Sequence, residues 1–293
     1  MCNQYFTSVC FVQPVKKNII QSSRILKISI ILCFVIPFTT LALLTGCSRS
    51  SASIIVAGST SVQPFAEVLA EQYMILNPDI NIDIQGGGSA AGILSSKSGT
   101  ADIGMSSRSL QGDEMDLWNV EIAKDGLAII VNPKNSINNL TLEQVRSIYS
   151  GQITNWNLVG GGESAIHVFT REEGSGTRSA FESYVMNKTE IMAKAMVQDS
   201  NGAVRQLVAD DPGAIGFISL GLVDKSVKSV ALDGIMATRE HVIDGSYGLS
   251  RPFLFVTLHE PEGLVKDFID YVLSTKGQEL LNAEGLVTSG VSP

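Results

Sequence analysis

Thiols are absent from most of this chain. The 293-residue sequence has four cysteines, and the last of them is Cys47. Residues 48–293 can therefore form neither a disulfide nor a metal site with thiolate ligands. Imidazole is scarce too, since the sequence has only three histidines, at positions 167, 241 and 259. This composition leaves few groups for metal binding or for general base catalysis.

Acidic residues are missing from the first 46 residues, although basic residues are present there. Four basic residues between Lys16 and Lys27 precede an apolar run over residues 28–44. A basic segment followed by an apolar run is typical of an export signal. The run is short for a membrane-spanning helix, and Pro37 interrupts it. We therefore predict that residues 1–46 are a signal peptide.

The apolar run ends in Leu-Thr-Gly-Cys at Cys47, and polar residues follow. This ending resembles the bacterial lipobox, in which the cysteine is lipidated and becomes the first mature residue. The resemblance predicts a lipid anchor on Cys47 and a short tether over residues 47–51. Two alternatives stay open: a signal anchor that happens to end in cysteine, and a translation start nearer Arg24.

Basic charge is in short supply once the signal peptide is removed. That removal takes away four basic residues and no acidic one, which leaves 17 basic against 29 acidic residues and a net charge of −12. Nucleic acid requires a basic face, so it is excluded as a partner. The general field of the protein also repels small anions. Any anion site must therefore act through short hydrogen bonds and helix ends.

The motifs of several enzyme classes are also missing. No Gly-x-x-x-x-Gly-Lys-Ser/Thr sequence is present, so we expect no ATP binding by this chain. The serine of 174–176 lacks the Gly-x-Ser-x-Gly spacing of a hydrolase, and the triple glycines at 86–88 and 160–162 lack dinucleotide spacing. The pair at 210–211 lacks the regular carboxylate spacing of a calcium loop. We predict a protein that is not an enzyme and has no cofactor and no metal.

Short apolar strands alternate with amphipathic helices from residue 53 onward. The pattern predicts strands near 54–57, 80–84, 101–105, 126–131, 165–170, 214–218 and 252–258. It predicts helices near 62–76, 89–94, 141–149, 178–186, 203–209, 262–273 and 277–283. Such alternation favours an α/β fold with parallel sheets. We predict a first lobe over 52–131 with a return over 250–293, a second lobe over 132–249, and extended crossover strands between them.

The sequence 171–178, Arg-Glu-Glu-Gly-Ser-Gly-Thr-Arg, is the clearest candidate for a binding site. Arg171 ends a predicted strand, Ser175 lies between glycines in the turn, and Thr177 opens a predicted helix. Backbone N–H groups at a helix start attract anions, and a guanidinium matches the oxygens of phosphate or carboxylate. His167 lies on the same predicted strand face as Arg171, where a packed histidine is commoner than a catalytic one.

Three other turns combine glycine and hydroxyl residues in the same way, at 58–61, 86–92 and 102–108. Taken singly, each is better explained as a helix cap. Four such turns in one α/β chain favour a shared site, because ligands of open α/β sheets bind beyond the carboxyl ends of the strands.

Taken in order, these four turns resemble the phosphate-binding lipoproteins of ABC-type phosphate uptake systems, over nearly all of the mature chain. The resemblance implies an α/β, two-lobed periplasmic-binding-protein fold of type II with hinge crossover strands, which closes on its ligand. It implies a monomer that is held at the membrane by lipid on the extracytoplasmic face, binds inorganic phosphate and serves a permease with a separate ATPase subunit. The phosphate-binding residues that it implies are Thr60, Ser61, Ser89, Ser107, Arg171, Ser175, Gly176 and Thr177, with Ser59 and Arg108 as weaker candidates.

One position departs from the better-known members of that family, which carry an aspartate where this chain has Ser107. Aspartate only accepts hydrogen bonds and so repels unprotonated sulfate, whereas serine can donate or accept. Arg108 follows, either as part of the charge balance or as a surface salt bridge. Sulfate or molybdate binding therefore stays open as an alternative, and so does a role as a surface sensor or adhesion component.

Overall fold

The computed structural model describes residues 52–288, so the predicted signal peptide, Cys47 and the tether lie outside the described residues. The first series of elements confirms the predicted alternation. It consists of β1 (Ala52–Gly58), α1 (Gln63–Leu76), β2 (Ile80–Gly86), α2 (Ser89–Ser98) and β3 (Ile103–Ser106). Pro64 occupies the first turn of α1, where its missing N–H has no helical partner to lose.

The rest of the chain continues with strands and helices that the sequence pattern predicted in most cases. The elements are β4 (Trp118–Val131), β5 (Asn139–Leu140), α3 (Leu142–Tyr149), β6 (His167–Arg171), α4 (Gly176–Phe181), β7 (Met196–Gln198), α5 (Asn201–Asp210), β8 (Ala214–Ser219), β9 (Lys228–Ser229), β10 (Ala231–Leu232), α6 (Arg239–Ile243), β11 (Ser250–Thr257), α7 (Gly263–Leu273) and α8 (Thr275–Ala283). Four short strands, β5, β7, β9 and β10, and helix α6 were not predicted, because two to five residues are too few to show a hydrophobic period.

Two predicted boundaries need correction. Strand β4 begins at Trp118 rather than Gly126, since its first half alternates in exposure and lacks a continuous apolar run. Helix α4 begins at Gly176 rather than Arg178 because the Ser175 hydroxyl accepts the backbone N–H of Arg178 and caps it. A single π turn, Glu182–Met186, continues α4.

Nine of the described strands form one mixed sheet in the order β2-β1-β3-β11-β4-β8-β6-β7, with β9 also paired to β4, and β5 pairs with β10 in a separate two-stranded sheet. Strand β1 is parallel to β2 and β3, and β6 is parallel to β7 and β8. In between, β11 is antiparallel to β3 and β4, and β4 is antiparallel to β8. The prediction of parallel sheets is therefore right for the two outer parts and wrong for the middle.

Two hydrophobic cores lie on either side of this middle part. One core gathers Phe65, Phe253 and Phe268 with strands β1 and β3, and we call the structure around it the first lobe. The other gathers Tyr149, Phe181 and Phe217, whose last two rings stack with centroids 4.1 Å apart, and we call it the second lobe. Strand β4 contributes to both cores, with 122–123 in the first and 127–131 in the second. Strand β4 is therefore an extended crossover between the lobes, and β11 pairs with its first half on entering the first lobe.

Within residues 52–288, no helix combines the length and hydropathy that crossing a membrane requires.

Candidate functional site

The turns that the sequence singled out meet where the carboxyl ends of their strands face the other lobe. In the first lobe, the turn after β1 contacts the turn after β3, because Ser59 Oγ donates to Ser107 Oγ at 2.9 Å. Ser89 Oγ, at the start of α2, accepts the backbone N–H of Ser107 at 3.0 Å. All three serines are buried. The three hydroxyl-rich turns of the first lobe thus form one surface.

The turn after β6 brings the second lobe against this surface. Ser61 Oγ of the first lobe lies 2.7 Å from Thr177 Oγ1 of the second. The backbone N–H of Ala90 donates to the Gly174 carbonyl at 3.1 Å. Arg171 also crosses the boundary, because its Nη2 donates to Thr60 Oγ1 at 3.1 Å. The predicted residues of both lobes therefore lie together.

Arg171 is almost wholly buried, with a relative exposure of 1%, and its Nη1 has no hydrogen-bond partner within residues 52–288. Its Nε and Nη2 donate to the Glu172 carboxylate, both at 2.9 Å. The same two nitrogens also donate to the backbone carbonyls of Gln198 and Asp199. A buried charged donor without an acceptor is unfavourable, so Nη1 marks a position for an anionic acceptor.

The other members of the Gly-Ser-Gly-Thr turn have separate roles. Ser175 Oγ caps α4 by accepting the N–H of Arg178 at 3.3 Å. This is the helix-cap role that explains such turns when each is considered alone. Gly176 packs so closely that an added Cβ would lie 2.3 Å from Ser89 Oγ and 2.6 Å from Ser107 Oγ. Only glycine allows the turn to approach the first lobe to this distance.

Arg108 forms an ion pair with a carboxylate of its own lobe. Its Nη1 and Nη2 donate to the two carboxylate oxygens of Glu114 at 2.7 and 2.8 Å. Hydrogen bonding by the Arg108 guanidinium lowers the pKa of Glu114. Of the two interpretations of Arg108, this geometry favours the salt bridge.

Sequence reasoning missed a second buried guanidinium, that of Arg251 at the start of β11. Its Nε and Nη2 donate to Asp125 Oδ2 of β4 at 3.1 and 2.9 Å. Burial raises the pKa of Asp125 and lowers that of Arg251, while each charge favours the ionised form of the other. Ser219 Oγ donates to Asp125 Oδ1 at 2.8 Å. The available signal was in β11, where Arg251 is the one charged residue of Ser250–Thr257.

Arg251 reaches the hydroxyls of the site as well as Asp125. Its Nη2 donates to Ser61 Oγ at 3.2 Å, and its Nη1 donates to Ser107 Oγ at 3.5 Å. Asn201 Nδ2, at the start of α5, also donates to Ser61 Oγ at 2.9 Å. Arg251 and Asn201 are both buried and were absent from the predicted set. They form a polar layer next to the predicted residues.

A cavity of about 300 Å³ opens between the lobes beside Arg171. Its lining residues are Thr60, Gly86, Gly87, Glu172, Asp199 and Ser200. Three of them, Thr60, Glu172 and Asp199, are bonded to the Arg171 guanidinium. The cavity therefore leads from solvent to the edge of the predicted site.

The histidine that shares β6 with Arg171 pairs with a carboxylate outside this arrangement. His167 lies at the exposed start of β6, and its Nδ1 is 2.5 Å from Asp211 Oδ2. Among the described residues, no group of three or more histidine, cysteine or acidic side chains is placed to hold a metal ion. The chemistry that the site supports is hydrogen bonding to a small anion.

The profile of the PBP superfamily domain matches residues 45–276. Among curated proteins, the phosphate-binding protein PstS of Bacillus subtilis is 32% identical over 234 residues, which are 78% of each chain. PstS of Borreliella burgdorferi is 28% identical over 262 residues, or 84% of this chain and 94% of the relative.

Two solved structures are also similar to this chain. One is a phosphate ABC transporter substrate-binding protein from Clostridium perfringens with bound phosphate, at 43% identity and a TM-score of 0.78, over 80% of this chain and 99% of that one. The other is an ABC-type phosphate transport receptor from Vibrio cholerae, at 40% identity and a TM-score of 0.68, over 81% of this chain and 100% of that one.

Proposed function

Because this chain belongs to the PBP superfamily, in the PstS family of phosphate-binding proteins, we propose that it captures inorganic phosphate between its two lobes and delivers it to an ABC-type permease. A separate ATPase subunit powers that permease. The observation that carries the proposal is the buried Arg171 Nη1, a charged donor that finds no acceptor in the described part of the chain and lies among buried hydroxyls of both lobes. An oxyanion supplies the missing acceptor.

The proposed residues of the phosphate site are those that the family resemblance implied. They are Thr60, Ser61, Ser89, Ser107, Arg171, Ser175, Gly176 and Thr177, with Ser59 as a supporting residue. Their meeting at the lobe boundary supports this set. The pairing of Arg108 with Glu114 supports leaving Arg108 out of it.

The mechanism that we propose is capture and release, without catalysis. Phosphate enters the open cleft, loses its water and is bound by hydroxyls, backbone N–H groups and the Arg171 guanidinium. Closure of the second lobe on the first, through the contact of Ser61 with Thr177, encloses it. Most of these donors are uncharged, so the permease can open the cleft without breaking many ion pairs.

The location is part of the same proposal. The protein acts outside the cytoplasmic membrane as a monomer, and lipid on Cys47 holds it there through the tether of residues 47–51. The proposed lobes are 52–131 with 250–293, and 132–249. Within residues 52–288 the two core clusters support this division except at 127–131, which pack in the second core.

Calorimetry tests the proposal directly. Residues 52–293 are stripped of bound anion and titrated with phosphate and then with sulfate. Tight phosphate binding without sulfate binding is the expected result. Binding of neither anion would contradict the assignment of the site at Arg171.

Binding of another tetrahedral oxyanion is the second candidate, and Ser107 favours it. A neutral serine lacks the carboxylate that would accept the proton of hydrogen phosphate and repel unprotonated sulfate. Equal binding of phosphate and sulfate in the same titration would support this candidate. A role as a surface sensor is tested by deleting the protein from cells. Loss of a sensor would change the gene response but leave phosphate uptake intact.

A further inference from the structure

Two hydrogen-bonded series of hydroxyl groups, each called a hydrogen-bond chain below, connect Arg251 to the proposed phosphate site. Their direction follows from partners that can only donate. Guanidinium and amide nitrogens donate and never accept, whereas a hydroxyl has one proton and two lone pairs. A hydroxyl that accepts from two such partners has only its proton left, and it must donate that proton onward.

The first hydrogen-bond chain runs from Arg251 through Ser61 to Thr177. Ser61 Oγ accepts from Asn201 Nδ2 at 2.9 Å and from Arg251 Nη2 at 3.2 Å. The orientation of the Asn201 amide is fixed, because its Oδ1 accepts the backbone N–H of Ser219. Ser61 therefore donates its proton to Thr177 Oγ1, 2.7 Å away. Thr177 accepts that bond and keeps its own proton for another acceptor.

The second hydrogen-bond chain runs from Arg251 through Ser107 to Ser89. Ser107 Oγ accepts from the Ser59 hydroxyl at 2.9 Å and from Arg251 Nη1 at 3.5 Å. Its proton is then directed to Ser89 Oγ at 3.3 Å, which also accepts the backbone N–H of Ser107. Ser89 therefore keeps its proton as a donor as well.

Both chains end beside the turn that carries Gly176. Ser89 Oγ lies 2.3 Å from the place where a Cβ on Gly176 would stand, and Thr177 is the next residue. We propose that Arg251 is a positioning residue of the phosphate site: acting through Ser61 and Ser107, it orders the hydroxyls so that Thr177 and Ser89 donate to the anion.

This role requires the shape of arginine and not only its charge. The guanidinium donates to Asp125, Ser61 and Ser107 at the same time, through three nitrogens held in one plane. A lysine ammonium is a single point on a flexible stem and cannot reach all three. Asp125 holds the guanidinium from the side of β4 and balances its charge, so the pair adds little net charge beneath the anion.

The inference rests on the proposed function, and the test uses the protein made from the full chain, stripped of bound anion. Phosphate dissociation constants are measured by calorimetry for the wild type, Arg251→Lys, Thr177→Val and the double variant. We expect Arg251→Lys to weaken phosphate binding about tenfold. In the Thr177→Val background its further effect should fall to about threefold or less, because one of its two routes has been removed.

Arg205→Lys is the matched control, since Arg205 donates to the Leu222 carbonyl and pairs with Asp224 away from the site. It should leave the dissociation constant unchanged. Wild-type affinity in Arg251→Lys would overturn the positioning role, and so would losses that multiply fully in the double variant.

A second variant covers the case in which Arg251→Lys does not fold. Asn201→Ala removes the other donor to Ser61 and leaves the Arg251–Asp125 pair intact. We expect phosphate binding to weaken about threefold, and an unchanged dissociation constant would again overturn the inference. A wild-type protein that binds no phosphate would instead overturn the proposed function, so the two failures are distinguishable.

Discussion

At the residue scale, Arg171 joins several parts of the site through one guanidinium. It bonds to Glu172 of its own turn, to Thr60 of the other lobe and to backbone carbonyls at the end of β7. These bonds hold Nε and Nη2 and leave Nη1 for the ligand. Since a carboxylate fixes the guanidinium from one side, little side-chain entropy remains to be lost when the anion binds.

Replacing Arg171 by alanine should weaken phosphate binding more than any other single substitution at the site. A charge-assisted hydrogen bond contributes about 1.5–3 kcal/mol, which corresponds to roughly a 10- to 150-fold increase in the dissociation constant. Calorimetry on the purified protein measures it. Arg146→Ala is the control, because Arg146 pairs with the exposed Glu143 on α3 and should not affect binding. Unchanged affinity in Arg171→Ala would remove the basis of the site assignment.

Gly176→Ala tests the close approach of the two lobes. Its Cβ would overlap Ser89 and Ser107, so we expect it to cost about 1–3 kcal/mol and to weaken phosphate binding at least tenfold. Gly202→Ala is matched to it, since its Cβ would meet only Ser200 Oγ at 4.0 Å and α5 should be stabilised slightly. Thermal unfolding and phosphate titration of both variants make the comparison. Equal behaviour of the two alanines would contradict the contact.

At the scale of elements, strand ends and helix starts concentrate hydroxyls at one edge of each lobe. The turns after β1, β3 and β6 supply Ser59, Ser107 and Arg171, and helix starts supply Ser89 and Thr177. Parallel strands within each lobe bring these ends to one side. The segment after β3 is also tied down by the pair of Arg108 with Glu114.

The Arg108–Glu114 pair should give the protein a measurable pH dependence of stability. The folded pKa of Glu114 lies below its ordinary value of 4.5, so its contribution is fully present above that value and is lost as the pH falls through the folded pKa. We expect Glu114→Gln to lower the free energy of unfolding by about 1 kcal/mol at pH 7, and the difference to shrink below pH 4.5. Urea unfolding of both proteins across this range measures it.

Asp113→Asn is the control for that experiment, because Asp113 pairs with Lys97 at an exposed position. We expect it to change the free energy of unfolding very little, since solvent screens an exposed pair. A Glu114→Gln difference that persists unchanged at low pH would mean that packing, and not the ion pair, is what the substitution disturbs.

At the scale of the whole molecule, β4 and β11 are two long antiparallel strands that run between two separate cores. At the proposed site the contacts across the lobes are polar, as the bonds of Thr60, Ser61 and Ala90 illustrate. Hydrogen bonds of this kind can be exchanged for bonds to water or to a ligand, so this part of the boundary can open and close at low cost in free energy.

Phosphate should therefore make the protein more compact. We expect the radius of gyration from small-angle X-ray scattering to decrease when phosphate is added to the stripped protein, because bound anion joins donors of both lobes. Arg171→Ala at the same phosphate concentration should show no such decrease. A radius that is the same with and without phosphate in the wild type would contradict closure by the ligand.

Local sequence features were enough to predict the main strands and helices, the family and most of the site residues. Hydrophobic periodicity marked the long strands and helices, and the resemblance identified the family and the residues from Thr60 to Thr177 that now lie together. These features are local, since each depends on a few neighbouring residues and on the order of the turns.

The strand directions in the middle of the sheet and the partners of the buried charges became visible in the folded structure alone. The antiparallel course of β4 and β11, the pairing of Asp125 with Arg251 and the link of Asn201 to Ser61 join positions that are 124 to 140 residues apart. No local pattern records such partners. A buried charge becomes stable only when the fold brings its counter-charge and its donors to it, so its role emerges with the packing of the two lobes.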